Sequence, residues 1–257
     1  MISSSSFKQK INSTSVISTI KIIVWGTVTF VVASLLIEFL HHQLSELGWL
    51  GGLNIITLNL AASLISYILI LVILTQLPKL LSNKTDWFKS LIGTRKDFAL
   101  EGWLTWQHIL LGIAGLVASM LLMMGILIFL SIVLPGLKLD NAQELGISAG
   151  DIYNRADLLL AFVMLVMLAP VAEELIFRGY LYSKLRMFVS LWPAVLVTSL
   201  LFGLAHGQLN VGIMTFAMSM VMCLLRESTG SIYPAIIVHM LKNGLAFYIL
   251  FVVGASV

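Results

Sequence analysis

Long apolar runs constrain this chain more than any other feature of its sequence. Unbroken runs of about 20 residues recur along the 257 residues, and this is the length that a helix needs to cross the hydrocarbon core of a bilayer. The runs lack the alternation of apolar and polar residues that is typical of membrane barrel strands. We therefore predict an all-α fold, a polytopic transmembrane helical bundle embedded in the lipid bilayer.

The number of spans is predicted as about seven, with eight as the alternative. The fourth run carries charge and the fifth is short, so these two leave the count open. The loops 78–107 and 135–157 are too short to form domains, so residues 1–257 are expected to form a single integral membrane domain. The serine-rich leader has no clear cleavage site, which predicts an uncleaved anchor. The predicted spans are 22–37, 53–77, 108–134, 158–188, 192–205, 211–225 and 233–253.

Charge in this chain follows membrane topology. Only 11% of the residues are charged, compared with roughly 25% in soluble domains. Twelve of the 15 Lys and Arg residues fall on one side of the predicted bundle, two fall on the other, and Lys242 lies inside the last run. The positive-inside rule then predicts a cytoplasmic N-terminus. We expect no nucleic-acid partner despite the net charge of +3, and the single Cys223 excludes a disulfide framework or a thiolate metal cluster.

Ionisable side chains inside the apolar runs indicate where function could lie. Each costs roughly 2.5 to 3.5 kcal/mol in a bilayer on insertion scales, so each needs a partner or a purpose. Pro170, inside the fourth run, would leave a backbone carbonyl one turn earlier without its N–H partner. Such a kink suits a functional site, although a proline packed among helices is an equal alternative. The polar residues are Glu173, Glu174, Arg178, His206, His239, Lys242 and Asn243.

The three charges of the fourth run should separate into two groups. Glu174 and Arg178 are four residues apart, so they share a helix face and can pair. Glu173 is turned by about 100° from Glu174 and projects elsewhere without a local partner. The structural alternative is one buried ion network that only holds helices together.

The fifth and seventh runs repeat the four-residue spacing. Phe202 and His206 are four apart, beside small residues at 199, 203 and 207 that would let a neighbouring helix approach closely. The alternative is that His206, at the end of its span, lies at the membrane–water interface and has no functional role. His239 and Asn243 share a face, either as an interhelical hydrogen-bonding pair or as part of a site, and Lys242 is expected outside that site, where it snorkels or pairs with an acid.

Glu173 and His206 are predicted to meet at one depth, since they lie at similar distances from the turn near residue 190. A carboxylate, two imidazoles and an amide that converge in a membrane would suit hydrolysis, with the glutamate as general base and neutral donors for the oxyanion. Counted along straight helices, however, His239 would lie about 8 to 12 Å from the cytoplasmic end and His206 about 24 Å. Tilt, a kink or an unwound end would have to close that gap.

These spaced residues resemble the three motifs of the CPBP family, which comprises CAAX proteases and bacteriocin-processing proteins and is also called the Abi or type II CAAX prenyl endopeptidase family. EExxxR is present at 173–178, FxxxH at 202–206 and HxxxN at 239–243. Together and in this order the motifs are specific. The resemblance covers about residues 156–253, the expected catalytic core, and does not extend to the first three spans.

The resemblance implies an intramembrane peptidase. Glu173 would activate a water molecule with help from His206, while His239 and Asn243 would stabilise the oxyanion. The residues implied to support the site structurally are Glu174, Arg178 and Phe202.

The same resemblance favours a mechanism without metal, so no cofactor is expected. The alternative is Zn²⁺ bound by His206, His239 and Glu173, which would make a three-ligand site with an open position. The sequence contains no HExxH motif.

The expected partner is a peptide or protein substrate at the membrane. The sequence leaves open whether that substrate is prenylated. Short loops and low mass suit a prokaryotic member located in the cell membrane. Two other functions remain as alternatives: a non-catalytic membrane scaffold or bacteriocin-immunity factor, and a proton-coupled transporter, because intramembrane Glu and His also mark proton pathways.

Overall fold

A computed structural model describes residues 13–46, 55–94, 96–100, 102–136, 152 and 154–254. Across these residues the secondary structure is helical and contains no strand. The all-α helical bundle predicted from the apolar runs is therefore confirmed. The leader, on which the prediction of an uncleaved anchor depends, lies outside the described residues up to position 12.

Within the described part of the chain, seven helices correspond to the seven predicted runs. Six are long and apolar enough to cross a membrane, whereas the fifth has 14 residues and a length of about 21 Å, less than the roughly 30 Å hydrocarbon core. A short 3₁₀ helix, Asp86–Leu91, lies in the loop before the third helix. The helices are α1 (Ser13–Glu46), α2 (Ile55–Leu81), α3 (Trp106–Val133), α4 (Arg155–Arg186), α5 (Leu191–Leu204), α6 (Leu209–Thr229) and α7 (Tyr233–Val253).

Helix α4 is not a uniform α-helix. It contains two π-helical stretches, Val163–Leu168 and Leu175–Leu181, and α7 ends in a third, Tyr248–Val253. Such stretches are rare in proteins overall, and those that occur often lie at functional sites. The first directly precedes the segment that carries Pro170 and both glutamates, and the second includes Arg178.

Pro170 explains part of this irregularity. The N–H of Ala169 donates to the carbonyl of Met164, five residues earlier. The next bond in this register would join residue 170 to the Leu165 carbonyl, but proline has no N–H to donate. A freed carbonyl about one turn before Pro170 is what the sequence predicts.

Small residues let α5 and α6 approach closely, as the sequence predicts. A Cβ atom added at Gly203 would lie 2.7 Å from the carbonyl oxygen of Gly212, so only glycine fits there. Gly207 has a different role from the one expected. It lies in the turn after α5 with a φ of +71° and open space around it, and glycine adopts this left-handed conformation without strain.

The largest buried cluster surrounds the polar part of α4. It includes Tyr180 and Leu185 from α4, Phe202 from α5, Met222 from α6 and Val238 from α7. The cluster also takes in Ile22 from α1 and Ile70 and Leu74 from α2. All the polar residues that the sequence singles out lie on α4 to α7 or in the turn after α5.

Candidate active site

The two adjacent glutamates on α4, Glu173 and Glu174, lie in different environments. Glu174 and Arg178 form an ion pair with 2.8 Å between Oε1 and Nη1, and both side chains are completely buried. The guanidinium group also lies over the ring of Phe202, 4.4 Å from its centroid. The four-residue spacing predicts this pairing, and the buried charge of Glu174 is thereby compensated.

Glu173 points away from that pair. Its side chain is 22% exposed, and its Oε1 accepts a hydrogen bond of 3.0 Å from the hydroxyl of Tyr67. The carboxylate therefore has a partner, but the partner comes from α2 and not from its own helix. The second oxygen, Oε2, lies 3.8 Å from Nε2 of His239.

His239 connects α7 to both glutamates. Its Nδ1 lies 2.9 Å from Oε1 of Glu174, and the ring is buried. A carboxylate that is ion-paired with an arginine can only accept hydrogen bonds, so Nδ1 carries the hydrogen. Nε2 is then the ring nitrogen that faces Glu173. The sequence predicts an inward-facing His239 but not its contact with Glu174.

His206 lies just beyond α5, in the turn that contains Gly207. Its Nδ1 is 2.8 Å from the carbonyl oxygen of Phe202. Because a carbonyl oxygen accepts hydrogen bonds, Nδ1 donates, which leaves Nε2 as the ring nitrogen available to a ligand.

Phe202 lies between the two imidazoles. Its ring makes edge-to-face contacts with His206 at 4.9 Å and with His239 at 5.7 Å between centroids. A third contact of this kind joins it to Phe177 of α4 at 4.9 Å. Both histidines thus contact one phenyl ring, so the fold brings them together despite the different depths counted along straight helices.

Glu173 and His206 line the same cavity, which has a volume of about 260 Å³. Helix α2 contributes the other polar groups of the wall, Ser63, Ser66 and Tyr67. His239 and Asn243 are absent from the described lining. The cavity therefore brings together two of the four residues predicted as catalytic.

A second cavity of about 240 Å³ adjoins the first. The two share five lining residues, and the second extends toward α1 along Gly26 and Val31. Its wall is largely apolar. The shared residues are Phe30, Ile70, Ile176, Phe177 and Ala205.

Asn243 donates a hydrogen bond to the backbone carbonyl that Pro170 leaves unpaired in α4. Its Nδ2 donates a hydrogen bond of 2.9 Å to the carbonyl oxygen of Leu165, which is the carbonyl that Pro170 leaves without a π-helical partner. One amide hydrogen is thereby used to join α7 to α4. The other amide hydrogen and Oδ1 remain as groups that could act in chemistry.

Sequence reasoning misses the contribution of α2. Tyr67 contacts Glu173 although the two are 106 positions apart. A signal is present in the sequence: Ser63, Ser66 and Tyr67 follow the i, i+3, i+4 spacing of one helix face inside an apolar span.

Zinc bound by His206, His239 and Glu173 stays an alternative prediction. Among the residues that the structure describes, no group of three or more His, Cys, Asp or Glu side chains is placed so that it could hold a metal ion.

The helical bundle and its enclosed polar site define an integral membrane protein with a Glu and His centre. Residues 155–245 match the family model described as Type II CAAX prenyl endopeptidase Rce1-like. The match covers about a third of the chain and supports the resemblance read from the three motifs. No curated protein and no solved structure matches the chain. The match indicates a CAAX-protease-like membrane endopeptidase that acts on a peptide or protein substrate.

Proposed function

We propose that this protein is an intramembrane endopeptidase that cleaves a peptide bond in a membrane-associated peptide or protein tail, with Glu173 as the general base. One observation carries the proposal: Glu173 and His206 line a common cavity of about 260 Å³. Glu174, in contrast, is committed to Arg178 and His239. Glu173 is thus the carboxylate of the pair that can reach a water molecule and a substrate.

The proposed reaction begins with a water molecule beside Oε2 of Glu173. Nε2 of His206 accepts one hydrogen of this water and orients it, while Glu173 takes the other as the water oxygen attacks the peptide carbonyl carbon. Glu173 then gives that proton to the amide nitrogen as the carbon–nitrogen bond breaks. A carboxylic acid and an amine are the products, and the glutamate returns to its starting state.

We assign the developing oxyanion to His239 and Asn243. Because Nδ1 of His239 already donates to Glu174, its Nε2 would donate to the oxyanion with a second hydrogen on the ring. Asn243 would contribute its second amide hydrogen. Donors of this kind are most effective in a site from which water is excluded. Glu174, Arg178 and Phe202 hold the two imidazoles and do not react.

The adjoining cavity supports a substrate with an apolar portion. Its largely apolar wall suits a hydrocarbon chain or apolar side chains next to the scissile bond, as in a prenylated tail.

We also propose a location in a prokaryotic cell membrane. The N-terminus is proposed to be cytoplasmic, since twelve of the 15 basic residues fall on one predicted side. Reporter fusions at loop positions 84 and 138 should report opposite sides of the membrane.

Cleavage by the purified full chain in proteoliposomes tests the proposal. Internally quenched peptides with and without a prenylated cysteine serve as probes. We expect the wild type to cleave at least one of them and Glu173→Gln to lose cleavage, because the amide cannot accept the proton. Full cleavage by Glu173→Gln at equal protein levels contradicts the proposal.

A non-catalytic scaffold or immunity factor is the second candidate. The buried contacts of Glu174 with Arg178 and His239 favour it, because they join α4 and α7 without any part for Glu173. Under this alternative, Glu173→Gln keeps the cellular phenotype and Glu174→Gln loses it through unfolding.

A further inference from the structure

Tyr67 lies on α2, outside the residues 155–245 that match the family model. Its hydroxyl is nevertheless 3.0 Å from Oε1 of Glu173. Tyr67 also lines the cavity that Glu173 shares with His206. A helix beyond the matched domain therefore contacts the proposed general base directly.

The contact leaves the two oxygens of Glu173 in different states. A phenol has one hydrogen to donate and a carboxylate accepts it, so Oε1 is occupied by Tyr67. Oε2 is directed to the side where Nε2 of His239 lies at 3.8 Å. This separation exceeds a hydrogen bond. Partial rotation of the carboxylate about its terminal bond would break the contact with Tyr67, so the hydroxyl fixes the orientation of the carboxylate and leaves one oxygen for the reacting water.

We propose that Tyr67 is a positioning residue for the general base: by holding Oε1 it keeps Oε2 aimed at the water. This inference rests on the proposed function. Catalysis is sensitive to such alignment, since a general base must lie within hydrogen-bond reach of the proton that it removes. Helix α2 is then part of the active centre and not only a membrane anchor.

A purely structural role for Tyr67 predicts different kinetics. If the hydroxyl only joined α2 to α4, its removal would lower stability and leave the turnover of folded protein unchanged. A positioning role predicts a lower kcat with little change in KM, because alignment matters in the transition state more than in substrate binding.

The experiment compares Tyr67→Phe with Tyr182→Phe in proteoliposomes, using the internally quenched peptides. Tyr182 is a matched control, because its hydroxyl also donates to a glutamate, Glu227, at 2.7 Å, away from the cavity. We expect Tyr67→Phe to lower kcat about 10- to 100-fold, the range for loss of a hydrogen bond to a charged group. Its KM should stay within about twofold, and Tyr182→Phe should retain the wild-type kcat.

A kcat of Tyr67→Phe within about twofold of the wild type would overturn the inference. 4-Fluorophenylalanine at position 67 also lacks the donor and adds only one atom to the ring, so it gives the same test if the phenylalanine variant does not accumulate. Glu173→Gln separates this inference from the proposed function. If Glu173→Gln is inactive while Tyr67→Phe is fully active, only the role of Tyr67 is wrong. If Glu173→Gln is active, or the wild type cleaves neither peptide, the proposed function is wrong as well.

Discussion

Glu173 and Glu174 are neighbours in sequence but lie in opposite environments. The side chain of Glu174 is completely buried and contacts Arg178 and His239, whereas that of Glu173 is 22% exposed and lines the cavity. The rotation of about 100° between consecutive helical residues produces this difference. Adjacent carboxylates can thus have separate roles, one in holding the helices and one in chemistry.

Replacement of Glu174 should unfold the protein more readily than replacement of a surface glutamate. Glu174→Gln leaves Arg178 buried without a counter-charge, which costs about 3 to 5 kcal/mol for a broken buried pair. Glu227→Gln is the matched control, because its pair with Arg186 is partly exposed and should contribute less than about 1 kcal/mol. Thermal unfolding in detergent micelles measures both variants. Equal stability of the two variants would contradict the structural role of Glu174.

Gly203→Ala should separate α5 from α6. The added Cβ would lie 2.7 Å from the carbonyl oxygen of Gly212, a backbone atom that cannot rotate away. We expect a loss of about 1 to 3 kcal/mol in unfolding free energy, with reduced cleavage because His206 follows α5. Gly125→Ala in α3 is the control, since no atom apart from its own helix backbone and chain neighbours lies within 4 Å of its added Cβ. A Gly203→Ala variant as stable as this control would show that the close approach is absent.

Asn243 and Pro170 should behave as a coupled pair. Asn243→Ala leaves the Leu165 carbonyl without its donor and should cost about 1 to 3 kcal/mol. Pro170→Ala restores a backbone N–H, so the same Asn243→Ala change should cost less in that background. Unfolding free energies of the four proteins in a double-mutant cycle measure the coupling. Strict additivity would show that Asn243 does not compensate for the proline.

Metal chelation should leave cleavage intact. The proposed chemistry uses Glu173 and His206 without a metal ion. Incubation of the purified protein with a strong zinc chelator, followed by dialysis, should leave the cleavage rate within about twofold of the untreated rate. Loss of activity that added Zn²⁺ restores would favour the three-ligand alternative with His206, His239 and Glu173.

The features that follow local spacing could be predicted from the sequence. The apolar runs predict the helices, the four-residue step predicts the contact of Glu174 with Arg178, and the small residue at 203 predicts a close helix approach. All three depend on helix geometry alone, which fixes how neighbours along one helix are placed.

The contacts between distant segments could not be predicted in this way. Tyr67 reaches Glu173 across 106 positions and His239 reaches Glu174 across 65. Counting residues along straight helices also predicts different depths for the two histidines, although both contact Phe202. Helix tilt and π-helical stretches change the depth of each residue, and neither is encoded by a local period.

Proteolysis by Glu173 is tested in cells by comparing the peptide termini produced with the wild type and with Glu173→Gln at equal abundance. Mass spectrometry of membrane and secreted fractions identifies the termini without a prior choice of substrate. If Glu173 is the general base, a set of termini present with the wild type disappears with Glu173→Gln. Identical termini in both, together with a phenotype on deletion of the whole protein, would contradict proteolysis by Glu173 and favour the scaffold.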